Sequence, residues 1–153
     1  MTDDRITAAR AGLPEWTAQA ERTFLSLAET LGAPIAESRR DPIVLLPYLE
    51  TYLSGLPLDE LDEDDWGALR TQFVAYVAQS LIIRYGAEWS VADDDRSPVR
   101  FRYVLERGDP AGERRWVDPF AVVMNEFRAR PVEVSRMLAT AELALGVGHP
   151  QWS

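Results

Sequence analysis

Apolar positions recur along the chain at two periods, and the switch between them divides it. Trp16, Ala20, Phe24, Leu27 and Leu31 fall three and four apart, one stripe of an amphipathic helix. Pro14 opens this helix, and Gly32 with Pro34 stops it. Polar residues from Glu37 to Arg40 read as a loop. Asp41-Pro42 then reads as a cap and first helical position, since the carboxylate accepts a backbone N–H and the proline needs no donor there. A short apolar helix over Ile43 to Leu53 follows, bent or delayed by Pro47.

The longest helical pattern runs from Asp62 to Tyr85. Trp66, Leu69, Phe73, Tyr76, Val77 and Leu81 form its main stripe, and Val74, Ala75, Ala78 and Ile82 make the other side apolar too. A helix apolar nearly all round belongs at the centre of a core. Gly86 supplies its stop.

From Glu88 the period becomes two. Trp89 and Val91 share one face of a first strand. Val99, Phe101, Tyr103 and Leu105 alternate with Arg100, Arg102, Val104 and Glu106 in a second, and Arg114 to Asp118 make a third. Turns at Asp93–Pro98 and Gly108–Gly112 join them into an antiparallel meander. Asp118-Pro119 repeats the cap device before a helix carrying Phe120, Val123, Met124 and Phe127. A last helix from Pro131 buries Val134, Met137, Leu138, Ala141 and Leu145. The expected fold is α+β, with about five helices and the three-stranded meander between the third and fourth. Residues 1–12 read as a disordered, frayed or weakly helical arm, 13–148 as a single globular domain and 149–153 as a tail.

Charge changes this picture in one respect. The 153 residues carry 16 basic and 25 acidic side chains, a formal −9, and every basic residue is Arg. Residues 1–76 hold 6 Arg against 14 acids, and the remainder 10 against 11. A net-acidic chain is poorly suited to polyphosphates and to anionic membranes, so neither nucleic acid nor membrane is expected as a partner. The first ten residues are polar, unlike a signal peptide, and the longest mostly apolar run, Phe73 to Ile83, falls short of the ~20 residues a spanning helix needs. A cytoplasmic protein is expected.

The missing residue types narrow the chemistry. Without Cys there is no thiolate site, and without Lys no Schiff base or phosphate-loop lysine. The one histidine, His149, stands in the tail, so no Ser-His-Asp pair and no His-rich metal site is expected. Asp93, Asp94 and Asp95 are contiguous, unlike the alternating acids of a calcium loop. No phosphate-cradling glycine pattern occurs. Neither metal, cofactor nor catalytic residue is assigned.

Three binding candidates remain. Arg100 and Arg102, joined by Arg115, place guanidiniums on the outer face of the sheet, where they can bind a carboxylate, a phosphate or an acidic partner, or pair with Glu88, Glu106 or Asp118. Gln79 interrupts an apolar helix three residues from Tyr76, and with Trp89 and Trp116 these outline a pocket at the helix–sheet junction. Six of the seven residues from Asp59 to Asp65 are acidic. Asp62, Glu63, Asp64 and Asp65 are either the acidic first turn of the long helix or a docking patch for a basic partner.

The segments Ala75-Tyr76-Val77-Ala78-Gln79, Gly86-Ala87-Glu88-Trp89 and Trp116-Val117-Asp118-Pro119-Phe120 together resemble small bacterial domains of unknown function. These have a long helix, a Gly-x-x-Trp turn into strands, and a strand ending at a proline that opens a helix. The resemblance spans residues 73–127 and departs at Ala78-Gln79, where Gly-Glu belongs. Proteins of this pattern occur in toxin-immunity sets, so it implies binding rather than catalysis. The expected function is a non-enzymatic interaction domain, immunity-like, for a basic protein partner. The alternative is a small-molecule-binding domain or a carboxylate-based enzyme.

Overall fold

The computed structural model describes residues 4–108, 111–129 and 131–147. Its elements are α1 (Asp4–Ala11), α2 (Leu13–Thr30), α3 (Ile35–Arg40), α4 (Leu46–Ser54), α5 (Glu63–Tyr85), β1 (Glu88–Asp93), β2 (Phe101–Gly108), β3 (Arg114–Val117), α6 (Pro119–Arg128) and α7 (Val134–Leu145). The fold is α+β, with an antiparallel sheet in the order β1-β2-β3. The helix count differs from the expected five. Seven are described, and the meander lies between the fifth and sixth.

The two additional helices are α1 and α3. In α1 only Ile6 and Ala9 are buried, one turn apart and too sparse for a period to show, yet they pack on Val91 of β1. Residues 4–11 thus take the helical form of the expected arm, and they pack on the sheet. Helix α3 takes up the stretch expected as a loop. It is short, and its Ser38 is fully buried and donates to the carbonyl of Pro34 at 2.7 Å.

Helix α5 is the axis of the core. Phe73, Tyr76, Val77, Ala78 and Leu81 are all 0% exposed, and α2, α6 and α7 pack around the helix. Gly86 ends it in the left-handed conformation at φ 73°. Both Asp-Pro devices cap as expected. Asp41 accepts from the Ile43 N–H at 3.2 Å, and Asp118 from Phe120 and Ala121 at 2.9 and 3.2 Å. Pro47 delays its helix rather than bending it: Pro42–Leu45 is a 3₁₀ turn, and α4 starts at Leu46.

Strand β2 begins two residues later than its alternation implies. Arg100 adopts φ 71°, a left-handed turn in which a non-glycine residue is uncommon. The Asp94 N–H closes this loop onto the Arg100 carbonyl at 2.9 Å. Val99, expected on the core face, is consequently outside the strand and exposed. In the sheet, Trp89, Leu105 and Val117 lie in register on one face, and Glu88, Glu106 and Trp116 on the other. The first face receives α2, where the Trp16 ring stacks on Tyr103 at 3.6 Å between centroids.

Gly146, the cap of α7, requires its missing side chain twice over. Its φ is 79°, and a Cβ there would lie 2.5 Å from Arg115 Cδ and 2.8 Å from Nε. Gly146→Ala is expected to cost roughly 1–2 kcal/mol, from the left-handed backbone alone, plus the displacement of Arg115. Urea unfolding checks this. The midpoint falls at unchanged slope, and Arg115→Ala in the same chain recovers only the steric part.

Candidate functional site

The acidic stretch before α5 separates into two kinds of residue. Asp62 is the N-cap: its carboxylate accepts from the Asp65 N–H at 2.8 Å, and Asp65 reaches back to the Asp62 N–H at 3.4 Å. This reciprocal box satisfies two orphan donors of the helix start. Glu63 and Asp64 lie outside it and are exposed, as is Glu60 in the preceding 3₁₀ turn. Among the described residues no Arg stands within ion-pair distance of Glu60, Glu63 or Asp64, whereas Arg84, Arg102, Arg114 and Arg136 all sit against carboxylates.

An apolar groove adjoins the acids. Trp66, one turn past Glu63 on the same face of α5, lines a cavity of about 260 Å³ with Val123, Met124 and Phe127 of α6, flanked by Arg70 and Arg128. Met124 is 39% exposed, so it faces this groove and not the core that its place in the apolar pattern implied. The α6 position that turns inward instead is Glu126. Trp66 meets Phe127 edge-on at 5.3 Å, and Phe127 meets Phe73 at 5.4 Å. A short chain of rings thus joins the groove to the core.

The sheet does not assemble the three arginines expected on it. Arg100 sits in the loop. Arg102 is engaged: Nη1 donates to Asp118 at 3.2 Å, Asp94 lies 4.0 Å from Nε, and the guanidinium lies over the Trp116 ring at 4.7 Å. Arg115 stands opposite Arg107, which puts it on the other face from Arg102. The expected pocket is divided by the same register. Trp116 and Trp89 lie on opposite faces. Tyr76 is sealed in the core and Gln79 is 6% exposed. The Tyr76 hydroxyl finds no partner of good geometry, and burial pushes its pKa far above the ordinary range.

Two polar clusters had no sequence signal: Tyr85 and Glu142 lie 57 residues apart, and Glu126 and Arg136, though only ten apart, meet through the packing of α6 against the start of α7. In the first, the Tyr85 hydroxyl donates to Glu142. Arg84 spans Glu142 at 3.7 Å and Asp41 at 3.9 Å, and Arg107 donates to the Tyr85 carbonyl at 3.1 Å. Burial, then the hydrogen bond and charge of Glu142, push the Tyr85 pKa up to about 12 against the pull of Arg84. A hydroxyl so held is neutral near pH 7, and the cluster clasps α5 to α7 and β2.

In the second, Glu126 accepts from Arg136 at 2.6 and 3.0 Å and from the Glu133 N–H at 3.0 Å. Burial acts to raise its pKa, but these bonds and the charge of Arg136 outweigh it and hold the carboxyl below its ordinary value. A folded-state pKa below the unfolded one stabilises the protein above the unfolded pKa, and that contribution is lost as pH falls through the folded one. Stability is therefore expected to drop as pH descends below about 4.3, and Glu126→Gln to flatten that drop in acid titrations of the unfolding midpoint. Glu126 is a buried carboxylate already committed to an Arg fork, which leaves it unsuited to acid–base work.

Among the described residues no cluster of three or more His, Asp or Glu side chains is arranged to hold a metal ion, and no helix is long and apolar enough to cross a membrane. His149 lies outside the described residues. No family model matches the chain, and neither a curated protein nor a solved structure matches it significantly.

Proposed function

We propose that the protein is a non-enzymatic interaction domain whose docking face is the start of α5 together with the groove between α5 and α6. The observation that carries this reading is the juxtaposition of Glu60, Glu63 and Asp64, exposed and without Arg partners among the described residues, with the groove of Trp66 and Met124. Unpaired carboxylates attract a basic partner and quicken its encounter. An aromatic ring beside a flexible methionine gives that partner a place to bury an apolar anchor. The mixed edge supports the same reading. A segment laid along the groove meets acids at the Glu63 end and guanidiniums at Arg70 and Arg128, so its charge order is set.

The partner is a basic protein. An immunity protein neutralising a basic toxin is the specific form that the resemblance to bacterial immunity-set domains implies, and a cytoplasmic setting goes with it. The reading leaves nucleic acid and membrane surfaces aside, on the net charge of −9.

The test is paired affinity capture from the native host, with the wild-type chain and with Glu60→Gln/Glu63→Gln/Asp64→Asn. A basic protein held by the wild type, released by salt and not held by the triple variant supports the reading. A partner held equally by both overturns it.

A further inference from the structure

The groove between α5 and α6 carries charge of a second kind. Arg70 on the α5 wall and Arg128 on the α6 wall border its cavity of about 260 Å³ together with Trp66, Val123, Met124 and Phe127. By contrast, the cavity of about 240 Å³ between Trp16 and Trp89 has no charged side chain in its wall. Both arginines are exposed, so an occupant of the groove can reach them. Among the described residues neither stands within ion-pair distance of a carboxylate. Arg128 makes only a long bond, to the Asn125 side chain at 3.4 Å, which leaves most of its five donors available. Arg128 also suits the negative end of α6, in whose last turn it stands. Arg70 lies well inside α5 and has no such role.

The α5 wall has a fixed order. Glu63, Trp66 and Arg70 follow at spacings of three and four, so one face presents an acid, an aromatic ring and a guanidinium in turn. Seven helical residues rise about 10 Å, the reach of roughly three residues of extended chain.

We infer that the groove receives the C-terminus of the basic partner: an apolar last side chain between Trp66 and Met124, and its free carboxylate on Arg70 and Arg128. The inference rests on the docking face proposed above and names the segment that fills it. A guanidinium binds a carboxylate through paired, charge-assisted bonds. A chain end carries that carboxylate on the same residue as the apolar side chain, so one residue serves both the cavity and its rim. It is also the one carboxylate that a basic protein has whatever its composition. A free small acid is disfavoured, because Glu60, Glu63 and Asp64 beside the groove repel it. Basic residues three to four places ahead of the carboxylate turn that repulsion into contacts.

The test is calorimetric titration of the full chain, at low salt, with acetyl-Arg-Arg-Gly-Gly-Leu as the free acid, the same peptide as its C-terminal amide, and acetyl-leucine. Net charge alone would make the more cationic amide bind an acidic protein more tightly. The expected result is the opposite, the free acid binding at least tenfold more tightly than the amide and acetyl-leucine not saturating. Arg70→Gln and Arg128→Gln, both at exposed positions, are each expected to remove most of the difference at an unchanged unfolding midpoint. Glu60→Gln/Glu63→Gln/Asp64→Asn is expected to weaken acid and amide alike. Equal binding of acid and amide, both weakened by the triple variant, would overturn the inference and leave the docking face standing. A preference for the acid that survives both Arg variants, acetyl-leucine binding as tightly as the peptide, or no saturation at millimolar peptide would also overturn it. Peptide binding untouched by the triple variant would overturn the docking face as well.

Discussion

Phe73→Ala is expected to lower the unfolding free energy by roughly 3–5 kcal/mol, the usual cost of removing a phenyl ring from a core that cannot close over the gap. Phe73 is 0% exposed, at the middle of the helix on which α2, α6 and α7 pack. Its ring meets Phe127 edge-on, and Phe127 in turn meets Trp66. The deletion therefore opens a cavity and also removes the support beneath the groove. Phe73→Leu keeps most of the volume and is expected to lose less than half as much. Denaturant unfolding of the three chains, with slopes compared, measures both values. A loss below about 1 kcal/mol for Phe73→Ala would mean that α5 is not the packing centre described here.

The second large effect is a dissociation between neighbouring acids. Asp62→Ala removes one half of a reciprocal cap and is expected to cost about 0.5–2 kcal/mol of stability, while leaving Glu60, Glu63 and Asp64 on the surface. Glu60→Gln/Glu63→Gln/Asp64→Asn is expected to do the reverse. Neutralising first-turn acids forfeits some attraction to the helix dipole, but it also relieves repulsion among crowded carboxylates, so stability changes less than with Asp62→Ala. Partner binding, in contrast, is expected to weaken by roughly 10- to 100-fold, three rim charges acting together at low salt and fading as salt is raised. Unfolding curves and binding isotherms on the two variants separate the roles. A reversed pattern would assign the acids to the helix alone.

Much of this architecture was legible in the residues, and what was not had a common cause. Helix α5 carries apolar residues on every side and a glycine at its end, so its centrality needed no tertiary information. Alternation likewise disclosed the strands, and Asp-Pro the starts of two helical segments. Helix α3 escaped, and α1 was read no further than a frayed or weakly helical arm, because they bury one to two side chains each, which no period can register. The sites were harder still. Whether Arg102 and Arg115 share a face depends on where β3 pairs with β2, and a count of residues across a turn does not fix that register. The same register separates Trp89 from Trp116. The Tyr85–Glu142 cluster and the cavity between Trp16 and Trp89 exist only through packing of distant segments, and the Glu126–Arg136 pair, ten residues apart, depends on how α7 turns back on α6. Asp62 to Asp65 stood out at once, but only hydrogen bonds distinguish the two that cap from the two that do not.

The most direct test of the docking face is photocross-linking from position 124, with a photoreactive residue in place of Met124 and, as control, of Leu143, which is 64% exposed on α7. In the native host, position 124 is predicted to yield an adduct with one basic protein, the control position none, and the adduct to disappear when Glu60, Glu63 and Asp64 are neutralised. Adducts formed equally from both positions, or one from position 124 that persists without those three charges, would contradict it.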